Sequence, residues 1–149
     1  MWYDMGCRDR ILAWREWRKG LEDLTLEEAL AETARAWANV PLVNHYLVPE
    51  EVDKWPTPWE LISDNHYCDL AICLGMFYSL ELSKHRTHDI VMNLYRADSE
   101  STWYHLCQIG QGKYVLNWNR GGIVNNSTLQ KSALLVYQYK EIDLASKLG

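Results

Sequence analysis

After Lys84 the hydrophobic periodicity of this chain changes from 3.6 residues to 2, and that change constrains the fold more than any other feature. Before it, apolar residues recur at helical spacing. After it, Ile90, Met92 and Leu94 alternate with Val91, Asn93 and Tyr95. Thr102 to Ile109 and Lys113 to Asn119 alternate in the same way, and Ala133 to Lys140 reads as a fourth strand. The connections carry turn residues: 97–101, Gly110-Gln111-Gly112, and Arg120-Gly121-Gly122 through Asn125-Asn126. Strands at this spacing predict an antiparallel meander. Helices followed by strands indicate an α+β domain.

Within the helical half, Arg8 to Lys19 predicts a first helix with Ile11, Trp14 and Arg18 on one face and Gly20 as its stop. Thr25-Leu26-Glu27-Glu28 is a capping box, opening a second helix that runs to about Asn39 before Pro41. The pair is expected to form a hairpin that hides Trp14 against Trp37. All four prolines lie between 41 and 58, in an irregular segment. Thr57-Pro58-Trp59-Glu60 is a second capping signature for a short helix to Ser63. Asn65 is expected to cap a longer helix, Tyr67 to about Ser83, whose broad apolar stripe marks it as the central buried one.

The chain has 149 residues, the size of one domain, and 48% hydrophobic residues, enough for a sizeable core. A single domain over 1–149 is expected, with a helical part at 1–40. The net charge is −5 and no basic cluster is present, so nucleic acid is not an expected partner. The longest apolar run, Leu70 to Leu80, is far short of the ~20 residues that span a bilayer, so no membrane is expected either. The N-terminus has no secretory signal pattern, so the chain is expected to stay in a cytoplasm and not to be secreted by a signal peptide. Cysteines 7, 68, 73 and 107 lack zinc-site spacing, and no histidine pair has helix-face spacing for a metal. No metal and no cofactor are expected, and the thiols read as free.

The strongest constellation is Cys68, His105 and Asn117. A three-residue turn at Gly110-Gln111-Gly112 would pair Ile109 with Lys113 and His105 with Asn117, setting imidazole and amide side by side. Cys68 falls at the start of the central helix, where macrodipole and free N–H groups favour a thiolate. A thiol, a base and a polar group to orient the base make up a nucleophile set. Taken singly, each residue has a plainer role. Cys68 can be a small buried hydrophobe, His105 a packing histidine and Asn117 the end of a strand.

Tyr67-Cys68-Asp69-Leu70-Ala71, Trp103-Tyr104-His105 and Lys113-Tyr114-Val115-Leu116-Asn117 resemble the three signature blocks of transglutaminase-like domains. The resemblance covers roughly Trp55 to Asn125. It implies a transglutaminase-like helix-plus-sheet unit over 55–140, in which Cys68 is the nucleophile, His105 the proton carrier and Asn117 the orienting group. The family has Asp at the third position, and Asn carries no charge to stabilise an imidazolium. The wider papain-like group uses a Cys-His-Asn set.

A second resemblance lies in the other half. The tryptophan-rich helix, Val40-Pro41-Leu42-Val43-Asn44-His45-Tyr46-Leu47, and Trp55-Pro56-Thr57-Pro58-Trp59-Glu60-Leu61 are similar to small virion-associated proteins of tailed bacteriophages. It implies a structural component of the neck, connector or tail, whose partners are virion subunits or further copies of the chain in a ring. Trp55 and Trp59, with Trp14 and Trp17, are its candidate partner-binding residues, since proline-constrained aromatics lose little entropy on docking. The leading expectation is this non-catalytic role on a transglutaminase-like fold. The alternative is a cysteine-dependent acyl transferase or amide hydrolase.

Overall fold

The computed structural model describes residues 1–97, 102–129 and 133–149. Apart from Ala97, the predicted turn at 97–101 lies outside them. Five helices form: α1 Cys7–Gly20, α2 Leu26–Trp37, α3 Pro58–Asp64, α4 Asp69–Glu81 and α5 Ala145–Leu148. Both capping boxes are present. Thr25 Oγ1 accepts from the Glu28 N–H at 3.2 Å, and Thr57 Oγ1 accepts from the Glu60 N–H at 3.3 Å. Each glutamate reaches back to the N–H of its threonine. These bonds satisfy donors that a helix start leaves orphaned.

The hairpin of α1 and α2 does not form as expected. α1 packs on α3, while α2 packs on α4. Trp14 therefore meets Trp59, with ring centroids 5.8 Å apart, instead of Trp37. Trp2 is the wedge between α1 and α2, its ring 5.0 Å from Trp17 and 5.1 Å from Trp37. A near-terminal residue that is 1% exposed thus completes the core.

α4 is buried all round, from Leu70 to Glu81. A helix without a polar face belongs at the centre of a domain. It begins at Asp69, with Cys68 as N-cap, and not at Tyr67. The reason is local. The Tyr67 N–H donates to the Pro41 carbonyl at 3.0 Å and its carbonyl accepts from the Val43 N–H at 2.9 Å, so its backbone is committed to a parallel bridge. Asn65 is not the cap of α4; it ends α3 in the left-handed conformation at φ 52°.

The sheet has five antiparallel strands: β1 Ile90–Ala97, β2 Trp103–Ile109, β3 Tyr114–Leu116, β4 Ile123–Asn125 and β5 Ala133–Tyr139. Their order is β4-β3-β2-β1-β5. The expected meander holds for the first strands, but β4 is an additional one, too short to show a period. The last strand crosses to the opposite edge and pairs with β1. Ile90, Met92, Leu94, Cys107, Ile109 and Leu116 form the sheet's contribution to the core around α4. The fold is α+β, with α4 packed on one face of the antiparallel sheet. No helix among the described residues is long and apolar enough to cross a membrane.

The proline-rich segment lies over one end of this core. The Pro56 carbonyl accepts from the Tyr78 hydroxyl at 2.6 Å, and the Pro49 carbonyl from Tyr139 at 2.7 Å. Trp55 is 2% exposed and its indole donates to the Val48 carbonyl. Trp14 is fully buried. Both are core residues, which corrects their assignment to a partner surface. Trp59, 41% exposed, and the half-buried Trp17 retain an outward edge.

Candidate active site

The turn after β2 is not the three-residue turn expected. Ile109 pairs with Tyr114 and Cys107 with Leu116, so the loop holds four residues, Gly110 to Lys113. Three of them, Gly110, Gln111 and Gly112, have left-handed φ values of 69°, 60° and 86°. This register would carry residue 117 to the face opposite His105. The strand ends first. Asn117 adopts φ 70°, a left-handed conformation that Asn tolerates better than most residues. Its amide swings back and donates to the His105 carbonyl at 2.9 Å and to Asp69 Oδ1 at 3.2 Å. Asn117 thus reaches the site by a backbone reversal instead of by strand pairing.

What holds the imidazole is Asp69. Its Oδ2 lies 2.6 Å from His105 Nδ1. Asp69 is the first residue of α4, where the helix dipole favours a carboxylate. The Arg120 guanidinium reaches Oδ1 at 3.1 Å. Burial alone would push the Asp69 carboxyl up. The hydrogen bond and charge of His105, with Arg120 and Asn117, outweigh it and hold the group below the ordinary carboxylate range. With a carboxylate on Nδ1, the ring carries its proton there, which leaves Nε2 as the base. His105 Nε2 is buried and has no hydrogen-bond partner among the described residues.

Cys68 directly precedes Asp69 and is 1% exposed. Its thiol is free and makes no hydrogen bond among the described residues, so it is not hydrogen-bonded to the imidazole. The segment from Pro41 to Leu47 runs alongside through the Leu42–Tyr67 bridge. Tyr46 donates its hydroxyl to the His66 carbonyl at 2.8 Å, and burial, then the nearby Cys68, pushes its phenol up. The rings of His45 and Trp103 flank His105 nearly parallel, each 6.5 Å away between centroids.

The structure therefore brings His105 and Asn117 together, one residue from Cys68. It adds Asp69 and Arg120, which sequence reasoning had not placed in the site. Asp69 had a legible signal, an acid in the first turn directly after the cysteine. Arg120 had none beyond its place three residues past Asn117. Among the other cysteines, Cys73 and Cys107 are buried, and burial pushes both thiols up; Cys7 is exposed. His85 is a packing histidine, its Nε2 2.8 Å from the Leu21 carbonyl. No group of three or more metal-ligating side chains occurs among the described residues.

No protein-family model matches the chain, and no curated protein matches it in sequence. Solved structures do. Calcium-bound LapG of Legionella pneumophila superposes with a TM-score of 0.71 at 13% identity, over 91% of this chain and 77% of that one. LapG without that designation and the EGTA-treated form each give 0.70, over the same share of this chain and 75% and 74% of theirs. At that identity the likeness is one of fold alone, the transglutaminase-like α+β fold.

Proposed function

We propose that this chain is a cysteine-dependent amide hydrolase or acyl transferase, with Cys68 as nucleophile, His105 as proton carrier and Asp69 as the carboxylate that holds the ring. One observation carries the reading. Asp69, the neighbour of Cys68 in the chain, grips His105 Nδ1 at 2.6 Å while Nε2 is left without a partner. The charge that Asn117 lacks at the family's third position is supplied from the helix instead. The fold likeness to LapG supports the same class.

In the reaction, the Cys68 thiol gives its proton to His105 Nε2 as sulfur bonds to the carbonyl carbon of an amide. The tetrahedral oxyanion collapses, the C–N bond breaks, and His105 returns the proton to the leaving amine. Water or a second amine then attacks the thioester, deprotonated by Nε2, and the thiol is regenerated. Asp69 keeps the ring in the required tautomer and stabilises the imidazolium. Asn117 anchors the His105 backbone and Asp69, a positioning role and not contact with the ring. The thiol must turn toward Nε2, and the segment from Pro41 to Leu47 must admit the substrate.

Alkylation by iodoacetamide at pH 6, followed by mass spectrometry, tests this with exposed Cys7 as internal standard. Cys68 should react faster than Cys7. His105→Ala should slow Cys68 about a hundredfold, the low end of what a positioned base contributes, and Asp69→Asn should slow it less. Labelling of Cys68 no faster than of Cys7 would sink the enzymatic reading. That outcome would favour a non-catalytic interaction protein, whose supporting observation is the burial of Cys68. No match links the chain to a virion.

A further inference from the structure

The sheet face turned away from α4 carries an unusual set of side chains. The pleat brings up Asn93 and Tyr95 from β1, Gln108 from β2 and Gln138 from β5. Asn93 is 8% exposed and Gln108 4%. Their amides interlock. Asn93 Nδ2 donates to Gln108 Oε1 at 2.6 Å, Tyr95 donates to the same oxygen at 3.2 Å, and Gln138 Nε2 donates to Asn93 Oδ1 at 2.9 Å. Burying amides costs free energy that these bonds only offset, and Leu or Val would cover a plain sheet face better. The network holds each amide in a fixed orientation with donors to spare. Gln108 Nε2 makes no hydrogen bond among the described residues, and it lies 3.6 Å from where a Cβ on Gly112 would stand.

Beside this network opens a groove of about 270 Å³, completed by Asp89, Gln111, Gly112, Asn126 and Lys140. Of the four non-glycine residues with left-handed backbone among those described, two rim it: Asp89 at φ 52° and Gln111 at φ 60°. Such conformations cost energy and cluster where a ligand must be met.

We infer that this groove binds a neutral polyhydroxylated ligand the size of one sugar ring, held by the Asn93, Gln108 and Gln138 amides. The charge balance argues for a neutral ligand, because the lining holds one carboxylate, Asp89, and one ammonium, Lys140. An anion would call for clustered cations. An added peptide strand does not suit the floor, because β1 and β2 are each paired on both sides and the one free ladder beside the groove is the outer edge of β5, turned away from the floor. Recognition must come from side chains, and the network leaves the Gln108 Nε2 donor and the Gln138 Oε1 acceptor unengaged among the described residues, one donor and one acceptor for vicinal hydroxyls. The volume falls just below the roughly 300 Å³ at which drug-sized pockets begin, which suits one ring and not an enclosed oligomer. The groove lies on the face opposite His105, so this site stands independently of the chemistry at Cys68.

The test is a ¹⁵N-resolved NMR titration of the full chain with the methyl glycosides of glucose, galactose and N-acetylglucosamine, each taken to about 50 mM, since affinities set by a few neutral hydrogen bonds fall in the millimolar range. At least one should shift the side-chain amides of Asn93, Gln108 and Gln138 and the backbone of Gln111 and Gly112. Gln108→Met, of similar shape, should weaken that binding at least tenfold. Gln138→Ala, on an edge strand and tolerable to the fold, should weaken it severalfold with the near-UV circular dichroism unchanged. The inference is overturned if no glycoside moves these resonances, if the shifts survive in both variants, or if inorganic phosphate moves them at lower concentration than any sugar.

Discussion

At Gly75 the backbone of α4 passes under the Trp37 indole so closely that a Cβ there would stand 2.1 Å from its ring. Trp37 has nowhere to go. It is fully buried, it donates to Ser79 Oγ at 3.1 Å, and Trp2 and Tyr67 pack on its ring. Gly75→Ala would gain about 1 kcal/mol of helix propensity and lose more to overpacking, about 1–3 kcal/mol or beyond. A fall in Tm of about 3–10 °C is expected for a chain of this length. Calorimetry checks it, and an unchanged or higher Tm would contradict the clash. None of this was legible in the sequence, where Gly75 is one small residue in an apolar run. Asp69 was half-legible for a similar reason. A search for the third member of the site looks at the strand after the glycine turn, as chain order dictates, and finds Asn117. The charge enters from α4, and only three dimensions bring residue 69 to residue 105.

Between residues and fold, the elements divide by what determines them. Both capping boxes, the apolar run of α4 and the alternation of β1 are set by local chemistry, and each was readable. The register of β2 and β3 is not local in that sense. A four-residue loop and a three-residue loop share the same glycines, and the choice depends on left-handed φ at three successive positions. The strap from Pro41 to Leu47 is similar: its path is decided by bonds to Tyr67 and His66, far along the chain. That strap should control access to Cys68. Tyr46→Phe removes its bond to the His66 carbonyl, a contact that contributes about 1 kcal/mol. If the strap opens locally before Cys68 meets solvent, the variant should raise Cys68 labelling by a disulfide reagent about fivefold, with Tm nearly unchanged. An unaltered rate would mean that another route admits the reagent.

At the scale of the whole molecule, two carboxylates on α4 oppose one another in their dependence on pH. Asp69, near its start, is held below its ordinary value by His105, Arg120 and Asn117 against its burial. Such a group stabilises the fold above its unfolded value, and the stabilisation is lost as pH falls through the folded one, below about pH 4. Glu81, at the other end of the helix, behaves in reverse. Burial, then the charge of Glu141, pushes its carboxyl up to about 7, only partly countered by Arg86. The folded state then holds a proton that the unfolded chain releases. Stability is therefore full below about pH 4.5 and declines as pH rises through 7, by roughly 1–3 kcal/mol after discount for solvent near the group. The chain should be most stable in mildly acidic solution, between these two windows. Urea unfolding from pH 3 to 8 should trace that maximum. Glu81→Gln should flatten the decline above pH 5 and leave the acid limb in place, whereas Asp69→Asn should reduce the acid limb alone. The rest of that limb belongs to Glu27, Glu28, Glu32 and Glu60, whose hydrogen bonds also hold them below the ordinary value. A single variant that altered both limbs would show the two ends of α4 to be coupled, and the separate assignments would fail.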